Sequence, residues 1–123
     1  MKIAILAPVA WRTPPRHYGP WEQMASNLAE GLAAQGMDVT LFATADSLTS
    51  GKLAAICPAG YAEDAQADAK VNECMHISYL MKLFEDFDII HNHFDFLLLT
   101  NSRLISTSVI TMIHSFSTRK IVP

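Results

Sequence analysis

Glycine is scarce in this 123-residue chain. There are five, and none cluster into Gly-x-Gly-x-x-Gly or a Walker-type phosphate loop. Cysteine is scarcer: Cys57 and Cys74 are the only two, with no Cys-x-x-Cys. A disulfide scaffold is therefore excluded, and the composition reads as that of a reduced, cytoplasmic protein. Charge is thin as well, at 17% of residues and a net −3, so nothing draws the chain wholesale to nucleic acid or an anionic membrane. No window approaches eighteen apolar residues, which predicts no membrane span. Met1–Ala10 is apolar behind one lysine, but the run is short, lacks a small-residue cleavage site and is broken by Trp11-Arg12, unlike a signal peptide. Half of the residues are apolar, which excludes a disordered tail, and the length suits a single domain over 1–123.

Residues 2–7 form a nearly continuous apolar run ended by Pro8, as a strand buried on both faces does. Residues 8–21 hold four prolines and both tryptophans, a long loop of the kind that is functional or mobile. A helix is predicted from Pro20 to Gln35, with Met24, Leu28 and Leu32 in one row, Ala25 and Ala29 beside them, and Gly36 as its C-terminal stop. Val39–Ala43 reads as a strand, 44–52 as loop, and Leu53–Cys57 as a weak strand ended by Pro58. From Asp64 to Asp86 the pattern is helical, with Cys74, Ile77, Leu80, Met81 and Phe84 in one apolar stripe. Ile89-Ile90 begin a strand leading into His91-Asn92-His93, residues 95–105 suggest a short helix, and Val109–Ile113 is the last strand. Met24, Met75, Met81 and Met112 read as core fillers. Strands alternating with helices predict a Rossmann-like three-layer α/β/α domain with a mostly parallel sheet, whose ligands bind beyond the carboxyl ends of the strands.

Three groups of residues could carry chemistry there. The first is the loop Arg12–Gly19 leading into the helix near Glu22. A helix N-terminus offers free N–H groups to an anion, and Gly19 permits close backbone approach. The same residues also suit an ordinary strand-to-helix turn, with Glu22 as a favourable first-turn acid. The second is His91-Asn92-His93-Phe94-Asp95. Alternate residues of an extended segment share a face, so His91, His93 and Asp95 could converge on a metal as in a small hydrolase, with His114 as a further ligand. Against this, Phe96 stands where a metallo-hydrolase motif would have another histidine, and a packed histidine beside an exposed one is the simpler reading. The third is His114 itself, at the end of the last strand, where it could hold a proton or donate to a phosphate or sugar hydroxyl. Asp46 follows the second strand, the position of a ribose-binding acid, but the glycine fingerprint that should accompany it is missing.

Arg16-His17-Tyr18-Gly19-Pro20-Trp21-Glu22 together with Leu28–Ala43 (LAEGLAAQGMDVTLFA) resembles the amino-terminal domain of glycosyltransferase family 4, which has the GT-B fold. Asp88–His93 and Thr111–His114 match two further segments of that family. The chain departs from the family pattern at Tyr18, Met37 and Ser115, where a glycine, a histidine and a glycine are usual. The resemblance implies a retaining enzyme that moves a sugar from a nucleotide-sugar donor to a sugar or small-molecule acceptor, without cofactor or metal. It implies that the Gly19 loop faces the donor pyrophosphate, that Arg16, His17 and Glu22 bind substrate with it, that His114 is catalytic beside the transferred sugar, and that His93 lines the acceptor side. The family's donor-binding domain is not among these residues, so the resemblance also implies a fragment inactive alone. Its last strand, 109–113, would then expose an edge able to pair with a second copy in a homodimer. A Rossmann-like binding domain without catalysis is the remaining alternative.

Overall fold

The apolar run at the amino terminus becomes the central strand β1 (Lys2–Leu6), in which Ala4, Ile5 and Leu6 are fully buried. Alternation along β1 explains why the run has no polar face. Ile3, Ile5 and Ala7 enter one core, and Ala4 and Leu6 enter the other. The computed structural model describes residues 1–94 and 97–112. The next elements are helix α1 (Pro20–Ala34) and strands β2 (Asp38–Phe42) and β3 (Lys52–Ala54). Helix α2 (Ala69–Leu83) is followed by β4 (Ile89–Asn92) and β5 (Ser108–Thr111). Short 3-10 segments lie at Tyr61–Glu63, Phe84–Asp86 and Leu97–Leu104. All strand pairs are parallel, in the order β3-β2-β1-β4-β5. Helix α1 covers one face through Ala25 and Ala29, and α2 the other through Ile77 and Leu80, which makes the three layers of a Rossmann-like fold.

Helix α1 stops as its sequence requires. Gly36 takes φ 84°, its N–H donates to the Ala33 carbonyl at 3.0 Å, and the Met37 N–H donates to the Leu32 carbonyl at 3.2 Å. These two bonds form the Schellman arrangement. The buried face differs from the expected row. Met24 is 46% exposed, Leu28 and Leu32 are partly buried, and Ala25 and Ala29 are fully buried. The helix is turned by one residue so that its small side chains meet the sheet and its backbone can sit close to it.

Several other expectations are corrected. Helix α2 begins at Ala69, not Asp64, because the Asp68 side chain accepts from the Val71 N–H and caps it there. Cys74, placed in the apolar stripe by its spacing, is exposed, while His76 is fully buried. Strand β3 lies at Lys52–Ala54, not 53–57, and the segment before β5 is a 3-10 helix. Met75 and Met112 are exposed and do not fill the core; Met81 packs against it. The expected last strand is found at Ser108–Thr111, and its predicted end at Ile113 lies outside the described residues, as do Asp95 and His114. Among the described residues no helix is long and apolar enough to cross a membrane.

Candidate functional site

Strand β1 has β2 on one side and β4 on the other, and the chain leaves it towards β2 through α1. The order of connection reverses between β1 and β4, so the loops after these two strands diverge and open a crevice. A cavity of about 370 Å³ lies there. Pro8, Ala10 and Trp11, which follow β1, form one side, and Phe94 and Leu97, which follow β4, form another. The first turn of α1, from Gly19 to Glu22, closes a third, and Tyr18, Tyr61 and Glu73 complete the lining.

The long loop after β1 is held at several points. The Tyr61 and Ala62 N–H groups donate to the Val9 and Ala10 carbonyls at 3.1 and 2.9 Å. Gly60 makes this crossing possible, because a Cβ there would run into the Ala10 carbonyl. Further along, the Thr13 N–H donates to the Ser47 hydroxyl at 2.9 Å, and the Leu48 N–H donates to the Thr13 carbonyl at 2.9 Å. Gly19 has φ 150°, and a Cβ on it would lie 2.9 Å from that of Pro15. Its glycine is thus required by the chain's own packing, whatever a ligand needs.

The cavity is acidic. Glu22 is 3% exposed and accepts the Trp11 N–H at 3.3 Å and its own backbone N–H. The positive end of α1 favours its ionised form, but burial prevails and pushes the carboxyl above its usual range. Glu73 is also pushed up by burial, although the Tyr61 hydroxyl that donates to it works the other way. Burial, together with the charges of Glu73 and Glu22, pushes the Tyr61 phenol up. Tyr61 therefore donates to one acid and feels the charge of both. The walls are aromatic: Trp11 and Tyr18 meet edge to face, with centroids 6.4 Å apart and planes at 78°. Both tryptophans of the chain line this space.

Among the residues singled out from sequence, Gly19 and Glu22 line the cavity. Arg16 sits on the same loop but turns to Glu63 at 3.0 Å and Asp46 at 3.4 Å. This also occupies Asp46, which accepts the Thr44 hydroxyl at 2.6 Å as well. His17 is exposed and outside the lining. His93 is buried just beyond β4, its N–H donating to the Leu6 carbonyl at 2.9 Å, and it is also outside the lining. Its ring stacks on that of His91 with centroids 4.6 Å apart, the shared face that alternation predicted. Burial lowers the His91 pKa. Among the described residues no three His, Cys, Asp or Glu side chains come together as metal ligands. Tyr61 and Glu73 were missed, because one follows a loop glycine and the other sits on a polar stretch of helix with nothing in either neighbourhood to mark it. The sequence matches no protein-family model and no curated protein.

Proposed function

We propose that this domain forms the acceptor side of a retaining glycosyltransferase, in which a sugar passes from a nucleotide-sugar donor to a hydroxyl-bearing acceptor. The observation that carries the reading is the cavity between β1 and β4, walled by indole and phenol rings and furnished with two carboxyls. A pyranose has apolar C–H faces that pack on aromatic rings and hydroxyls that donate to carboxylates, so rings and acids together suit it. The volume falls within the range of small-molecule sites. The loop Arg16–Glu22, which carries the family resemblance, forms part of the cavity wall through Tyr18 to Glu22. The same reading assigns His114 to the transferred sugar, and it places the exposed edge of β5 against a second copy of the chain.

Trp11 and Trp21 are the only tryptophans, so their fluorescence reports on this cavity alone. Titration with a panel of monosaccharides is expected to shift or quench it saturably. Nucleotide sugars are expected to act through their sugar portion, with the free nucleotide silent, because Glu22 and Glu73 disfavour here the pyrophosphate that the resemblance sets beside Gly19. A flat response to every sugar would defeat the acceptor reading, and zinc retained stoichiometrically through dialysis would favour a hydrolase built on His91, His93 and Asp95.

A further inference from the structure

Resting on that reading, we propose that the cavity takes an acceptor bearing a protonated amine, such as an amino sugar. Two observations lead there independently. The first is charge. Glu22 and Glu73 line the cavity, and none of the described residues lining it is basic. Two cations lie on the same loop: Arg16 is engaged by Glu63 and Asp46, and Arg12, next to Trp11, is not among the lining residues. A phosphate would meet two carboxylates with no basic side chain among the described lining residues, and like charges at close range in a partly buried site repel.

The second observation is the shape of the aromatic wall. Trp11 and Tyr18 stand nearly at right angles, so their rings form a corner at the open side of the cavity, and Trp21 and Tyr61 also line it. Ring faces carry negative quadrupole charge, and an ammonium group seated over one of these rings is attracted by it. A neutral sugar would gain the packing but would leave Glu22 and Glu73 without a counter-charge. An ammonium supplies that counter-charge, which makes ionisation of both acids favourable once the ligand is in place. The rest of an amino sugar still presents hydroxyls to Tyr61 and C–H faces to the indoles.

The test uses the whole chain at neutral pH, where the amine of an amino sugar is still largely protonated, with tryptophan fluorescence as readout. The probes are glucosamine, glucose, N-acetylglucosamine and tetramethylammonium. Glucosamine is expected to bind about tenfold or more tighter than glucose or N-acetylglucosamine, the advantage shrinking in high salt. Glu73→Gln, at a half-buried position on α2, is expected to remove most of that advantage while the protein stays folded, and Glu22→Gln is expected to do the same. Equal binding of glucose and glucosamine overturns the amine proposal and leaves the sugar reading standing. A response to tetramethylammonium but to none of the sugars keeps the cation site and overturns the acceptor reading. Silence towards all four probes overturns both.

Discussion

His76 shows how a single buried side chain can set the acid limit of the fold. It is fully buried on α2, with Nε2 2.7 Å from the Ala7 carbonyl oxygen. Since a carbonyl can only accept, Nε2 carries the proton, and Nδ1 has no hydrogen-bond partner among the described residues. Burial lowers its pKa to about 4, against the smaller upward pull of that carbonyl. The unfolded chain therefore binds a proton here between about pH 6.5 and 4 that the folded chain refuses. The stability at stake is fully present above the unfolded pKa and is lost as pH falls through the folded one, up to about 3 kcal/mol. Glu22 and Glu73 act with the opposite sign. Their raised pKa values contribute stability below the ordinary carboxylate range that is lost as pH rises through the folded values. The His76 part is isolated by comparing urea midpoints of the wild type and His76→Gln across this window. The wild type is expected to lose stability more steeply on acidification, and parallel curves would show that His76 is not the sensitive group.

At the scale of an element, α1 shows where periodicity stops being sufficient. Its length, its proline start and its Gly36 stop could be read directly, because each depends on neighbours within one turn. Its orientation could not, because rows 24-28-32 and 25-29 are adjacent on the helix surface and both are apolar. Contact with β1 and β2 selects the smaller row. Ala29→Leu is accordingly expected to cost about 1–3 kcal/mol by overpacking against the sheet, whereas Met24→Gln should change stability by less than about 0.5 kcal/mol. Chemical denaturation distinguishes the two, and a reversed ranking would mean that the Met24 row faces the core. The same ambiguity misplaced Cys74 and hid His76, which lie two positions apart on α2.

For the whole molecule, the strand order β3-β2-β1-β4-β5 has two consequences. It locates the crevice, because the connections diverge only between β1 and β4. It also puts β5 at the end of the described sheet, where Ile110 is 52% exposed and the outer row of backbone groups has no neighbouring strand among the described residues. The proposed homodimer follows from that edge. Sedimentation over a range of concentrations is expected to reveal a reversible dimer, with Ile110→Lys shifting it towards monomer. A monomer at all concentrations, in both proteins, would remove edge pairing from consideration.

By itself the amino-acid order determined the α/β class, the central buried strand, the end of α1 and the loop–helix segment containing Gly19 and Glu22. Those depend on apolar runs, caps and breakers acting over a few residues. Only the tertiary structure decided that Glu73 and Tyr61 join Glu22, that Arg16 spends its charge on Glu63 and Asp46, and that His93 lies outside the cavity. Those arrangements come from packing α2 and the Gly60 turn against a loop some fifty residues earlier, and contacts of that range leave no periodic mark on the chain.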